Sequence, residues 1–279
     1  MTTTQQQKEL TVLKNKFGAE FYLALDIISG ISPKDLIMGK LPTEEELQKL
    51  IKIFEERKNT NKPLAQILGV SYFMGEKFKI SSATLIPRPE TELLVKKSID
   101  IINTGNYKKI LDIGTGSGCI ACMIAKKTNA QVLGLDISND ALQIALENAM
   151  NLNLVNKAIF RKSDIYSKID LINNENFDMI VSNPPYIPPQ EKEKIMPEVK
   201  DYEPQTALFT NDSKGIEFYE KIIKDANKYL KPNGHIGFEI GQYQAQPVTD
   251  LLEKYNFDHI SVYKDVSGIE RTITAQQST

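Results

Sequence analysis

The sequence predicts an α/β fold built on a mostly parallel, seven-stranded sheet whose last strand runs antiparallel. A small helical domain and a β-hairpin linker precede it. Three observations carry this expectation. From Lys109 onward, short apolar runs alternate with longer amphipathic stretches, the pattern of a parallel sheet covered by helices on both faces. The first of these runs ends in the glycine-rich turn Gly114-Thr115-Gly116-Ser117-Gly118. The first 62 residues, by contrast, are helical in pattern and carry no strand signal. The chain therefore divides into a helical domain at 1–62, a linker at 63–92 and an α/β domain at 93–279.

The helical domain shows its boundaries through caps. The apolar run Phe21 to Ile28 is stopped by Ser29-Gly30, and Ser32-Pro33 reads as an N-cap followed by a first-position proline. Thr43 and Glu46 form a capping box ahead of the stripe Leu47, Leu50, Ile51 and Phe54. Such a domain serves either as an accessory cap or as a substrate-recognition module. In the linker, Tyr72-Phe73-Met74 and Phe78-Lys79-Ile80 flank Gly75-Glu76-Lys77, which predicts a hairpin. Two prolines then bracket Arg88, and a helix begins at Glu90 or Thr91.

In the α/β domain, Lys109 to Ile113 is a strand running into the glycine turn, whose N–H groups are expected to face a ligand at the start of a helix. The next strand, Val132 to Leu135, ends at Asp136, 18 residues after Gly118. A capped helix follows from Ser138, with Ala141, Leu142, Ala145, Leu146, Ala149 and Leu152 on one face. The third strand, Ile159 to Arg161, leads to Ser163-Asp164, and the fourth is Met179 to Val181. An amphipathic helix is expected over 215–230, closed by Lys231-Pro232-Asn233-Gly234, before a fifth strand from His235 to Ile240. Ile260 to Tyr263 and Arg271 to Thr274 then pair through a turn around Gly268.

Composition narrows the function classes. The 279 residues carry 34 Lys+Arg against 36 Asp+Glu, a net charge of -2, so no basic domain for nucleic acid is evident. Cys119 and Cys122 form a C-x-x-C, but with two cysteines and only His235 and His259 a zinc site of ordinary spacing is excluded. Both cysteines fall in the first turns of a helix with a buried face, which favours packing. The polar start, Met1 to Glu9, is not a signal peptide, and no apolar run approaches the ~20 residues needed to cross a bilayer. A cytoplasmic protein, monomeric and without membrane contact, is expected.

The candidate site lies at the carboxyl ends of the strands, where open α/β sheets bind ligands. After Ser182 comes Asn183-Pro184-Pro185-Tyr186, a stiff, extended exit from the sheet. The Asn183 side-chain oxygen and the Pro184 carbonyl can accept two N–H bonds from a planar amino group, with Tyr186 over its π-face. The sequence is also that of an ordinary turn, and its neighbours decide between the two. Asp136 is placed to hold both ribose hydroxyls of a nucleoside. Asp164 could accept from an adenine amino group, with Ile165 as apolar cover. A dinucleotide fingerprint is absent, because position 119 is Cys119 rather than glycine. Asp112, just before the turn, would repel a pyrophosphate but could bind an ammonium. That combination favours S-adenosylmethionine over a nicotinamide cofactor.

These motifs resemble the class I S-adenosylmethionine-dependent methyltransferases, a Rossmann-like fold. Within them they resemble the glutamine methyltransferases that modify peptide chain release factors. The resemblance runs from about Pro63 to Ala275. It rests on Leu85-Ile86-Pro87-Arg88-Pro89-Glu90-Thr91-Glu92, on Asp112 to Gly118 and on Val181 to Tyr186. Tyr202-Glu203-Pro204, Glu239-Ile240-Gly241, and Ser267-Gly268 with Arg271 add to it. It implies that S-adenosyl-L-methionine binds at Asp112, Gly114, Thr115, Gly116, Ser117, Gly118, Asp136, Ile137, Asp164, Ile165 and Asn183. It implies that Asn183, Pro184 and Tyr186 are catalytic, and that Pro185, Arg88 and Glu90 join them in holding the substrate. That substrate would be the glutamine of the Gly-Gly-Gln loop in class 1 release factors, methylated on its amide nitrogen without a metal. Many relatives carry an aromatic residue where Ile165 stands, which would reduce stacking on adenine. Methylation of an amino group in nucleic acid or of a ribosomal protein glutamine is the alternative activity. A non-catalytic module docking on the translation machinery is the contrasting class.

Overall fold

The computed structural model describes residues 2–169 and 176–278. Two compact units emerge from the packing. One ends at Val70 and takes in the distant segment Pro197–Tyr202; the other holds Ser71–Met196 and the chain from Glu203 onward.

The first unit contains α1 (Thr3–Phe17), α2 (Ala19–Ser29), α3 (Pro33–Ile37), α4 (Glu44–Thr60) and α5 (Leu64–Leu68). The caps read in the sequence are present: Ser32 and Thr43 each accept from the amide three residues on, closing capping boxes with Asp35 and Glu46. Gly30 ends α2 in the left-handed region, at φ 61°. The core is Leu10, Phe21, Leu25, Leu47, Leu50 and Phe54, with Phe17 stacked on Phe54 at 4.3 Å. The start of the expected linker holds a short helix, α5, which Pro63 precedes as N-cap. Its short apolar run Leu64-Ala65 lacked the length to announce a helix, and Leu64 is buried in this core.

In the second unit, β1 (Val70–Phe73) and β2 (Glu76–Lys79) form the hairpin and α6 (Thr91–Thr104) follows. Then come β3 (Lys109–Ile113), α7 (Cys119–Lys127), β4 (Gln131–Asp136), α8 (Asn139–Asn151), β5 (Ala158–Lys162) and β6 (Phe177–Ser182). The chain continues through α9 (Pro197–Tyr202), which belongs to the first unit, to α10 (Glu217–Ala226), β7 (Leu230–Glu239), α11 (Ala245–Lys254), β8 (Phe257–Lys264) and β9 (Glu270–Gln277). Among the described residues the sheet has seven strands in the order β5-β4-β3-β6-β7-β9-β8. Five strands pair in parallel, and β9 runs antiparallel to both β7 and β8. The order reverses beside β3, so the carboxyl ends of β3, β4 and β6 border one crevice.

Strand alternation sends Leu111, Ile180 and Ile236 to one face, under α10 and α11, and Ile110, Val132 and Met179 to the other, under α6 and α7. The helix expected over 215–230 ends at Ala226, and the Lys231-Pro232-Asn233-Gly234 segment lies inside β7. The pairing accounts for this: Phe177 faces Leu230 while Met179 faces His235, so the four residues bulge, with Asn233 at φ 62°. The turn chemistry was legible; the strand on its far side was not.

Cys119 and Cys122 are free and buried in α7. Burial, reinforced by the nearby Asp112, pushes the Cys119 thiol up to about 12, and Cys122 is raised further. Neither is a poised thiolate.

Gly118 fixes the angle at which α7 leaves the turn. Its φ is 77°, and a Cβ there would lie 2.9 Å from the Ala145 Cβ and 3.1 Å from the Phe160 ring. Gly118→Ala should therefore lower stability by about 2–4 kcal/mol, from backbone strain plus overpacking. Urea unfolding checks this, with Gly114→Ala, which meets no atom within 4 Å, as the milder comparison.

Candidate active site

The carboxyl ends of β3, β4, β5 and β6 open on a cleft that solvent enters. Gly114, Thr115, Gly116 and Ser117 form one wall. Asp136 and Ile137 continue it, and Asp164 and Ile165 follow from the loop after β5. Asn183, Pro184 and Pro185 close the side at β6, and Arg88 and Thr91 join the lining from the segment entering α6.

The glycine turn differs from its expected role. The amides of Gly114 and Thr115 both donate to the Leu135 carbonyl, at 2.8 and 2.9 Å. Gly116 donates to Asp136 Oδ2 at 2.9 Å and Gly118 to the Thr115 carbonyl at 2.8 Å. The turn spends these donors on itself and on β4, so it is no cradle for a pyrophosphate. Asp136 accepts a second bond at Oδ1, from the Ser138 amide at 2.9 Å. Its carboxylate is thereby held still on the cleft wall, with lone pairs left for a diol.

Four of the expected residues do not line the cleft. Gly118 lies behind the turn, against Ala145 and Phe160. Glu90 is exposed at the start of α6. Asp112 is wholly buried beneath the turn, its Oδ2 accepting from the Thr115 hydroxyl at 2.6 Å while Oδ1 has no partner. Tyr186 turns its ring into the core rather than over the cleft, and its hydroxyl donates to Glu239 Oε1 at 3.4 Å. Pro185 and Pro188 stiffen the chain around it, and Gln244 Nε2 donates to the Tyr186 carbonyl at 3.0 Å. Ile165, on the wall, sits at φ 49°, which costs a β-branched residue steric strain. The Ser163 hydroxyl offsets this by donating to the Ile165 carbonyl at 2.8 Å.

Three residues that sequence reasoning assigned no site role support the wall. Glu203, almost fully buried, accepts from the Ile86 amide at 3.0 Å and pairs with the Arg88 guanidinium, anchoring it at the cleft. Thr91 accepts from Asn183 Nδ2 at 3.3 Å and donates to Glu239 Oε2 at 2.5 Å. Burial pushes the Glu239 carboxyl up to about 7, against the bond from Thr91 and the attraction of Arg271. Burial likewise pushes Asp112 to about 7. Glu203 and Glu239 had appeared only within short motifs; nothing in the sequence named their partners.

Residues 105–261 match a methyltransferase domain family. The chain is 41% identical over 261 residues to a release factor glutamine methyltransferase of Flavobacterium psychrophilum, covering 91% of this chain and 89% of the relative. It is 40% identical over 272 residues to another from Thermodesulfovibrio yellowstonii, covering 95% of both. The chain belongs to the release factor glutamine methyltransferase family. A solved ribosomal protein L11 methylase from Lactobacillus delbrueckii subsp. bulgaricus shares the fold, with a TM-score of 0.53 and 19% identity over 75% of this chain and 90% of that one. The architecture is thus the Rossmann-like one of class I methyltransferases. Among the described residues no helix is long and apolar enough to cross a membrane, and no cluster of side chains suits a metal ion.

Two buried acids under one cleft make stability depend on pH. Each carboxyl is raised above its ordinary value of 3.8 or 4.5, so the folded state holds protons that the unfolded state releases. That contribution is complete below those ordinary values and is lost as pH rises through about 7. The melting temperature should fall across this window. Asp112→Asn combined with Glu239→Gln should flatten the fall, as thermal scans at pH 4.5, 6 and 7.5 would show.

Proposed function

We propose that this chain transfers a methyl group from S-adenosyl-L-methionine to the side-chain amide nitrogen of a glutamine in a peptide chain release factor. The observation that carries the reading is Asn183. Its Nδ2 is occupied by Thr91 while the residue lines the cleft, which leaves Oδ1 as an acceptor for the N–H group of an incoming amide. Membership of the family supplies the substrate class.

The cofactor, when bound, supplies an electrophilic methyl group. Asp136, braced by Gly116 and Ser138, would hold its ribose hydroxyls, and Ile137 and Ile165 would cover its base, with Asp164 accepting from the adenine amino group. Asp112, buried beneath the turn, would act on the positive end of an amino-acid tail only through the turn above it. An amide nitrogen is a weak nucleophile because its lone pair is delocalised into the carbonyl. Asn183 Oδ1 and the Pro184 carbonyl would accept its two N–H groups, aim the nitrogen at the methyl and stabilise the positive charge that develops on it. One N–H proton leaves to solvent after transfer. A carboxylate has no such donors, so those two oxygens would repel it. The acceptor would be the glutamine of the Gly-Gly-Gln loop, whose glycines let a narrow loop tip reach the cleft.

Asn183→Ala should fold normally and keep most of its cofactor affinity, yet lose about a hundredfold or more in kcat. Isothermal titration with S-adenosylhomocysteine and single-turnover methylation of an intact release factor measure the two. On the substrate side, glutamate in place of the loop glutamine should abolish methylation, read by peptide mass mapping. An adenine-containing oligonucleotide should accept no methyl group; its methylation, with none on the release factor, would overturn the assignment.

A further inference from the structure

We propose that Thr91 and Glu239 form a positioning pair that dictates which end of the Asn183 side-chain amide faces the acceptor. This rests on the reading that Asn183 grips an amide.

An asparagine amide is nearly symmetric in shape, and its two ends have opposite hydrogen-bonding character. For Oδ1 to receive an acceptor N–H, something must hold Nδ2 on the other side. Among the described residues, Nδ2 donates to the Thr91 hydroxyl, at 3.3 Å. A hydroxyl has one proton to give, and Thr91 gives it to Glu239 Oε2 at 2.5 Å. Its lone pairs therefore face Asn183, and only a donor, Nδ2, is compatible with them. Thr91 and Glu239 are 3% and 2% exposed, so water cannot substitute freely for either. The remaining carboxylate oxygen, Oε1, accepts from Tyr186, and the Glu239 main-chain carbonyl accepts from Tyr219 at 2.9 Å, which holds the acid in place. Above about pH 7, where Glu239 is chiefly ionised, direction thus passes from a carboxylate that can only accept, through a hydroxyl that does both, to an amide that is left with one orientation. Glu239 lies at the end of β7 and touches no substrate; it acts through Thr91.

The pair predicts an order of activities that differs from the order of stabilities. Thr91→Val removes the relay and leaves a buried carboxylate oxygen without its donor. It should be the least stable variant, yet its amide has no enforced wrong orientation, so kcat should fall only about fivefold. Thr91→Ser keeps the hydroxyl and should recover most of that loss. In Glu239→Gln, the Tyr186 hydroxyl favours an oxygen at its end, which turns the new NH₂ toward Thr91. The hydroxyl proton then points at Asn183 and reverses its amide. This variant, relieved of a buried charge, should melt at or above wild type at pH 8 but lose about fiftyfold in kcat. The KM for the cofactor should stay unchanged throughout.

The experiment is steady-state methylation of an intact release factor at pH 8, with melting temperatures for each variant and Asn183→Ala alongside. A stable but slow Glu239→Gln, with Thr91→Ser near wild type, supports the pair. Wild-type kcat in Glu239→Gln, or losses that track melting temperature across the set, overturns it. If Asn183→Ala also turns over normally, the reading of Asn183 itself has failed. If Asn183→Ala is inactive while Glu239→Gln is active, only the pair has.

Discussion

The site depends on one pairing, that of β3 with β6. These central strands run in parallel with Ile113 opposite Ser182, and the Ser182 hydroxyl donates to the Ile113 carbonyl at 2.7 Å. That bond ties together the last residue before the glycine turn and the last residue before Asn183. The glycine turn and Asn183 therefore share a rigid origin, and neither depends on a long loop for its position. Side chains placed at strand ends are held more closely than those on loops, as in-line transfer to a weak nucleophile requires.

Much of this was legible in the sequence because it is written in short-range chemistry. Asn183 stood out because two prolines follow it directly, and Asp136 because it ends an apolar run at a fixed distance from a glycine turn. The seven strands, the antiparallel last strand and the caps at Ser32 and Thr43 rest on local pattern alone. What escaped was set by contacts between distant residues. Thr91 and Glu239 are 148 positions apart, and Arg88 and Glu203 are 115 apart. The aim of Tyr186, toward the core, follows from Glu239 and from the core it packs against. The inward turn of the Gly114 and Thr115 amides needs the Leu135 carbonyl of the neighbouring strand, which no reading of the turn by itself supplies.

The cleft is underlain by acids with different partners. Glu203 has a guanidinium and a backbone amide, and it anchors a cation. Glu239 has two hydroxyl donors, which suits it to orient a neutral group. Asp112 accepts from the Thr115 hydroxyl, and burial beneath the turn holds its carboxyl protonated to about pH 7. The hydrogen-bond complement of each carboxylate, more than its carboxyl chemistry, distinguishes the three.

The path of the chain through the helical unit has a consequence for modular inheritance. Pro197–Tyr202 belongs to that unit although both flanks belong to the other. Within it, the Tyr202 hydroxyl donates to the Thr60 carbonyl and Gln66 donates to the Tyr202 carbonyl, both at 2.7 Å, while Arg57 bridges Glu20 and Glu198. The polypeptide thus crosses between the units three times. A crossover in recombination at residue 70 would import foreign helices without the six-residue strand of chain they were fitted to shelter. The unit is discontinuous in the gene, so exchanging its first 70 residues alone would leave the Thr60, Gln66 and Arg57 bonds to residues 197–202 without their native partners.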